Sequence, residues 1–150
     1  MKFSVIKEFR VQSSKFRVVF ALLALCFSFL ADAHASPDSW MTVSDEIEKE
    51  LNASVGAYEK GKKSEAMETV ADAYFGIFEG EKANMEIAVR RFINLKKSSE
   101  LEKGFADLRK AIKEGIKPGD FRKQTESLIE AVKAAAKELD RKGVKVSSDF

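Results

Sequence analysis

An all-α fold is what this chain predicts, on three observations. Apolar residues recur at intervals of three and four from residue 47 to residue 139, which is the signature of one-sided helices. No alternating run is long enough for a half-buried strand outside residues 144–146. The 8 Gly and 2 Pro in 150 residues, with 45% hydrophobic and 33% charged residues, are too few for a loop-rich or fibrous chain and fit one globular domain. The expected architecture is an antiparallel four-helix bundle, including one long helix, behind an N-terminal signal peptide.

The leader comes first. Lys2, Lys7, Arg10, Lys15 and Arg17 precede an apolar run from Val18 to Leu30, and Ala33-His34-Ala35 comes after it. A basic stretch, a short apolar core and a small-x-small site make residues 1–35 a secretory signal peptide, and a run of 13 is too short to span a bilayer. Residues 36–42 read as a linker, 43–143 as the helical bundle domain and 144–150 as a tail.

In helix one, about 43–60, Ile47, Leu51, Val55 and Tyr58 form one face and Lys60-Gly61 closes it. Ser64 offers a cap for helix two, whose stripe is Met67, Val70, Tyr74 and Ile77 or Phe78, with Gly80 as its stop. Tyr74, Phe75 and Phe78 at this spacing read as core. Asn84 offers the next cap, and Met85, Ala88, Phe92 and Leu95 give way to a second stripe, Leu101, Phe105, Leu108 and Ile112. No Pro separates them, and Gly104 costs only about 1 kcal/mol in a helix interior. Either the helix breaks near Ser98-Ser99, or it runs on through a polar notch around Ser98, Ser99 and Glu102; one long helix over about 83–114 is the favoured expectation. Gly115 and Pro118-Gly119 stop it, Asp120 caps helix four, and Phe121, Thr125, Leu128, Val132, Ala135 and Leu139 run to a close at Gly143.

The leader holds the single Cys, Cys26, and the single His, His34. Residues 36–150 have neither thiol nor imidazole, which excludes triads built on either, zinc fingers and thioether-linked haem. Phosphate-cradling Gly-rich motifs are absent as well. The same residues carry 21 Lys and Arg against 22 Asp and Glu, interspersed, so nucleic acid finds little counterion release there. Carboxylate, Tyr, Met and Lys/Arg chemistry remains, which suits hard cations better than covalent catalysis, and no enzymatic activity is expected.

Asp72 and Glu79 fall on one side of helix two, about 10 Å apart at 1.5 Å per residue. One cation with carboxylate bonds of about 2–2.6 Å cannot bridge them, so each needs help from another helix, with Glu86 and Glu102 as candidates. The competing reading of the same four carboxylates is salt bridges to Arg90, Arg91 or Arg109.

The segment Asp72-Ala-Tyr-Phe-Gly-Ile-Phe-Glu79, then Met85-Glu86-Ile-Ala-Val-Arg90, then Glu100-Leu-Glu102 with Phe105 and Leu108-Arg109-Lys110 resembles the extracytoplasmic N-terminal region of bacterial high-affinity iron permeases. The resemblance covers about residues 43–140. It implies a periplasmic accessory domain of an iron uptake system that binds iron weakly through carboxylates or docks a partner. Those partners would be an inner-membrane iron permease and periplasmic iron-binding or electron-transfer proteins. The R-E-x-x-E motifs in membrane helices that carry transport in that family have no counterpart here, so the chain is not expected to form the pore. The alternative is a metal-free helical protein-interaction module of the cell envelope. Tyr58-Glu-Lys-Gly61 with Glu65-Ala66 after it is similar to the turn of tetratricopeptide units, but no 34-residue repeat recurs.

Overall fold

The computed structural model describes residues 38–80 and 83–147. Residues 1–35, with the expected signal peptide, lie outside the described residues. Those described are helical with no strand among them: α1 (Trp40–Glu59), α2 (Lys63–Ala71) continued by a π-helical segment (Asp72–Phe78), α3 (Met85–Phe92), α4 (Leu95–Glu114) and α5 (Pro118–Arg141). No described helix is long and apolar enough to cross a membrane.

Helix α1 runs antiparallel to α5, and their first and last turns interlock. The Ser39 Oγ accepts from Thr42 N–H at 3.2 Å, while the Asp140 carboxylate accepts from the Trp40 and Met41 N–H groups at 2.9 and 3.1 Å. Those amides have no partner within α1, so a carboxylate a hundred residues away completes the helix start. The Trp40 indole N–H donates to the Val144 carbonyl at 2.7 Å. At the other end Tyr58 donates to the Ile116 carbonyl at 2.7 Å and its ring lies 4.6 Å from that of Phe121.

Helix α1 therefore begins three residues before the expected position, at Trp40 within the expected linker 36–42. Trp40 is fully buried; a large aromatic with nowhere else to go draws the chain into the core and the helix with it. In α2 the first helical residue is Lys63 and Lys62 holds the cap position without a side-chain cap bond, so Ser64 sits two positions too late to cap it. Helix α5 starts with Pro118 at its first turn, where a missing N–H costs nothing, rather than at Asp120. The tail also contributes, since Val144 and Val146 pack half-buried on the core.

The long helix over 83–114 is not formed. The chain breaks at Ile93-Asn94: Asn94 takes an extended backbone and its Oδ1 accepts from Lys97 N–H at 2.7 Å, starting α4 anew. An Asn that can cap competes with helix continuation, and Lys142 Nζ donates to the Phe92 carbonyl at 2.8 Å, closing α3 from the end of α5. Leu95 consequently leaves the stripe expected of it and is 59% exposed. The core stripes of α1 and α5 and the second stripe of α4 are buried as expected.

Candidate functional site

One corner departs from regular helix, and it holds three of the four candidate carboxylates. After Ala71 the backbone widens, and Glu79 N–H bonds to the Tyr74 carbonyl at 2.8 Å, five residues back. Such π segments occur often at functional sites. The slip is visible in the buried residues: Val70 to Ala73 is three, and Ala73 to Phe78 is five. Phe78 turns fully inward, its ring 5.3 Å from Phe105 and 6.0 Å from Tyr74.

Gly80 ends the segment. A Cβ there would collide with the Gly76 carbonyl, so no other residue fits this chain path. Asn84 then adopts a left-handed backbone, φ 49°, and leads into α3. It stands at the expected helix start, yet its side chain makes no cap bond.

Glu86, on the first turn of α3, is only 7% exposed. Its Oε1 meets the Ser98 hydroxyl at 3.1 Å and the Arg90 guanidinium at 2.5 Å. Glu102 Oε1 is 3.0 Å from the same hydroxyl, whose single proton can be donated to only one of the two carboxylates at a time, and lies 3.7 Å from Arg90. One buried Ser and one half-exposed Arg thus hold two carboxylates together, and the expected polar notch of α4 is what admits the pair. Glu79 Oε1 accepts from the Tyr74 hydroxyl at 2.5 Å. Burial, then that bond and the charges of Glu79, Glu102 and Glu86, push the Tyr74 phenol well above the usual tyrosine range. Of the three carboxylates, Glu79 bonds the Tyr74 hydroxyl, while Glu86 and Glu102 act on it through their charge.

Asp72 does not join them. It is exposed at the start of the π segment, where the helical register points it away from Tyr74. Of the candidate arginine partners, Arg90 takes the carboxylates, whereas Arg109 lies over the rings of Tyr74 and Phe75 at 5.5 and 5.7 Å. Phe75, expected in the core, is 56% exposed under that guanidinium, because the π register rotates it outward. Among the described residues no three carboxylates are arranged to hold a metal ion as they stand. Two parts of the site are hidden in the sequence. Tyr74 looks like one more stripe residue, and Ser98 looks like a helix interruption; the only cue is that a Ser and a Glu four apart interrupt an apolar face.

No protein-family model matches the chain, and neither curated proteins nor solved structures give a match.

Proposed function

We propose that the chain is a periplasmic accessory domain of a high-affinity iron uptake system, non-enzymatic, in which the corner around Tyr74 makes weak, transient contact with iron as cargo and docks a permease or redox partner. The observation that carries this reading is that the iron-permease-like string 72–79 folds as the π-helical segment and its end, and the carboxylates of Glu79, Glu86 and Glu102 gather there. All the donors are oxygens, the ligand class that hard cations prefer. Arg90 already pairs closely with Glu86 and stands 3.7 Å from Glu102, so an incoming cation must compete with a guanidinium. That competition favours release over retention, as an accessory step in uptake requires. Entry to the periplasm is assigned to the N-terminal leader, and the architecture is taken as an antiparallel four-helix bundle of α1, α2 with its π extension, α4 and α5, crossed by the short α3.

Calorimetric titration with ferrous and with ferric iron tests the cargo reading. Saturable heat that disappears in Glu79→Ala and Glu102→Ala is expected. No heat above buffer, or heat unchanged in both variants, overturns iron contact and leaves docking alone.

The second reading, a metal-free interaction module, draws on Phe75, an exposed aromatic lying against Arg109. Pull-down from periplasmic extract that recovers a permease or electron-transfer protein equally well after chelation, and fails with Phe75→Ala, favours it.

A further inference from the structure

Helix α4 carries a second pattern besides its core stripe. Lys96, Lys103 and Lys110 stand seven residues apart, and Glu100, Asp107 and Glu114 repeat with the same interval four residues later. Both rows lie on exposed parts of the helix, away from Leu101, Phe105 and Ile112, which face the core. The acidic row forms one edge of an open trough of about 530 Å³ between α4 and α5, whose floor includes Leu108, Ala111, Leu128 and Ala131.

Within one chain these charges pair mostly at the edge of contact, Glu100 being shared between Lys96 and Lys97, the latter at 3.8 Å. Lys96 and Glu100 are 3.9 Å apart and Lys110 and Glu114 3.8 Å; only Lys103 and Asp107 are in close contact, at 2.5 Å. A cation placed four residues before its acid is also the weaker orientation on a helix, and the three lysines are more than two-thirds exposed.

We propose that this face self-associates, with a second copy of the chain laying its own α4 antiparallel along the trough. Reversing the helix and centring it on residue 105 puts Lys96 opposite Glu114 of the second copy, Lys103 opposite its Asp107 and Lys110 opposite its Glu100. The two-fold axis generates the same three pairings in the other direction, so six cation–anion rungs satisfy one symmetric contact, as an isologous interface demands. The rungs extend along about 27 Å of helix at 1.5 Å per residue. The acidic edge of the trough thus meets a basic row that the chain itself supplies, and the apolar floor is covered in the same step. This surface is distinct from the corner around Tyr74: Glu102 and Arg109, which belong to that corner, lie on another line of α4, seven residues apart.

Sedimentation equilibrium of the full chain tests it, with charge variants that leave the core untouched. At low salt a dimer is expected at about 0.1 mM, dissociating in roughly 1 M salt, where the screening length shrinks to about 3 Å. Lys103→Glu alone and Asp107→Lys alone each place like charges opposite one another twice, and weaken the dimer at least about tenfold. Mixing the two single variants restores association, because every central rung then pairs opposite charges, in a heterodimer only this register allows. Combining both substitutions in one chain restores the homodimer. A chain that stays monomeric at low salt overturns the proposal and leaves the trough to a helix of another protein. A dimer indifferent to both reversals, or single variants that fail to associate on mixing, overturns the register and with it the proposal.

Discussion

Along the seam between α1 and α5 the buried side chains keep the helical interval, and both ends of the seam are closed by long-range hydrogen bonds, Asp140 to Trp40 and Met41 at one end and Tyr58 to Ile116 at the other. At the corner formed by the π segment, α3 and the start of α4, the interval slips by one residue, a non-Gly residue adopts positive φ, and a carboxylate is buried. Both regions are well packed, and no buried side-chain polar atom lacks a partner among the described residues. The difference lies in what the packing serves. The seam buries hydrocarbon on regular helices and keeps its polar bonds and ion pairs at its ends and rim, whereas the corner accepts irregular backbone and a desolvated charge, features that persist only where the surroundings over-determine them. Polar chemistry on this chain is therefore to be sought at the corner, with the seam as the frame that holds it.

The largest expected effect breaks the frame. Trp40→Ala empties the volume of a fully buried indole and should cost about 3–5 kcal/mol, read as a large drop in the urea midpoint. A loss below about 1 kcal/mol, the size of an ordinary substitution, would mean that the α1 start is held by Asp140 alone. Next comes Gly80→Ala, which drives a Cβ into the Gly76 carbonyl. We expect a cost of roughly 2–3 kcal/mol, with amide exchange accelerated from Asp72 to Phe92 and unchanged in the seam. Uniform acceleration would erase the distinction between frame and corner.

Arg90→Ala tests the buried charge. Glu86 keeps Ser98 but loses its cation, and a cost of about 2 kcal/mol at neutral pH is expected. Denaturant titration of the variant against the native chain at neutral pH measures this.

The smallest effect is at Tyr74. Its folded-state phenol titrates above the usual value near 10, so between the two values the folded state holds a proton that the unfolded state has lost. Stability is then unaffected below about pH 10 and falls above it, by at most about 1.4 kcal/mol per pH unit. Tyr74→Phe should flatten that part of the stability profile; a profile identical to that of the native chain would show that Tyr74 does not govern it.

How much of the fold and the corner is legible in the sequence follows the same division. The stripes over 47–58, 101–112 and 121–139 are legible because each residue's burial depends only on its place in a regular helix. The helix break at Asn94 is harder to read, since its one local signal is an Asn that can cap, with no Pro or Gly beside it; Lys142 from the far end of the chain closes α3 at the same point. Nor is the π slip legible, because Ile77 and Phe78 are both apolar and only the position of Phe105 decides which turns inward. Of the carboxylates, Glu86 and Glu102 are found together where the notch in α4 suggests, and Glu79 joins them through Tyr74. Asp72 stays apart because its expected alignment with Glu79 holds for α-helical geometry, and the backbone after Ala71 is π-helical.

The hydrogen bonds from Trp40 to Asp140 and Val144 have a consequence beyond stability. They bring the first and last helical turns of this region side by side, so the chain direction at this point is a matter of genetics more than of architecture. A circular permutant, joined from Val146 to Ser39 by a short flexible loop and opened at the exposed turn Gly61-Lys62, should regain the same fold. Domains whose ends meet in this way can be spliced into or ahead of other proteins without disturbing their interior.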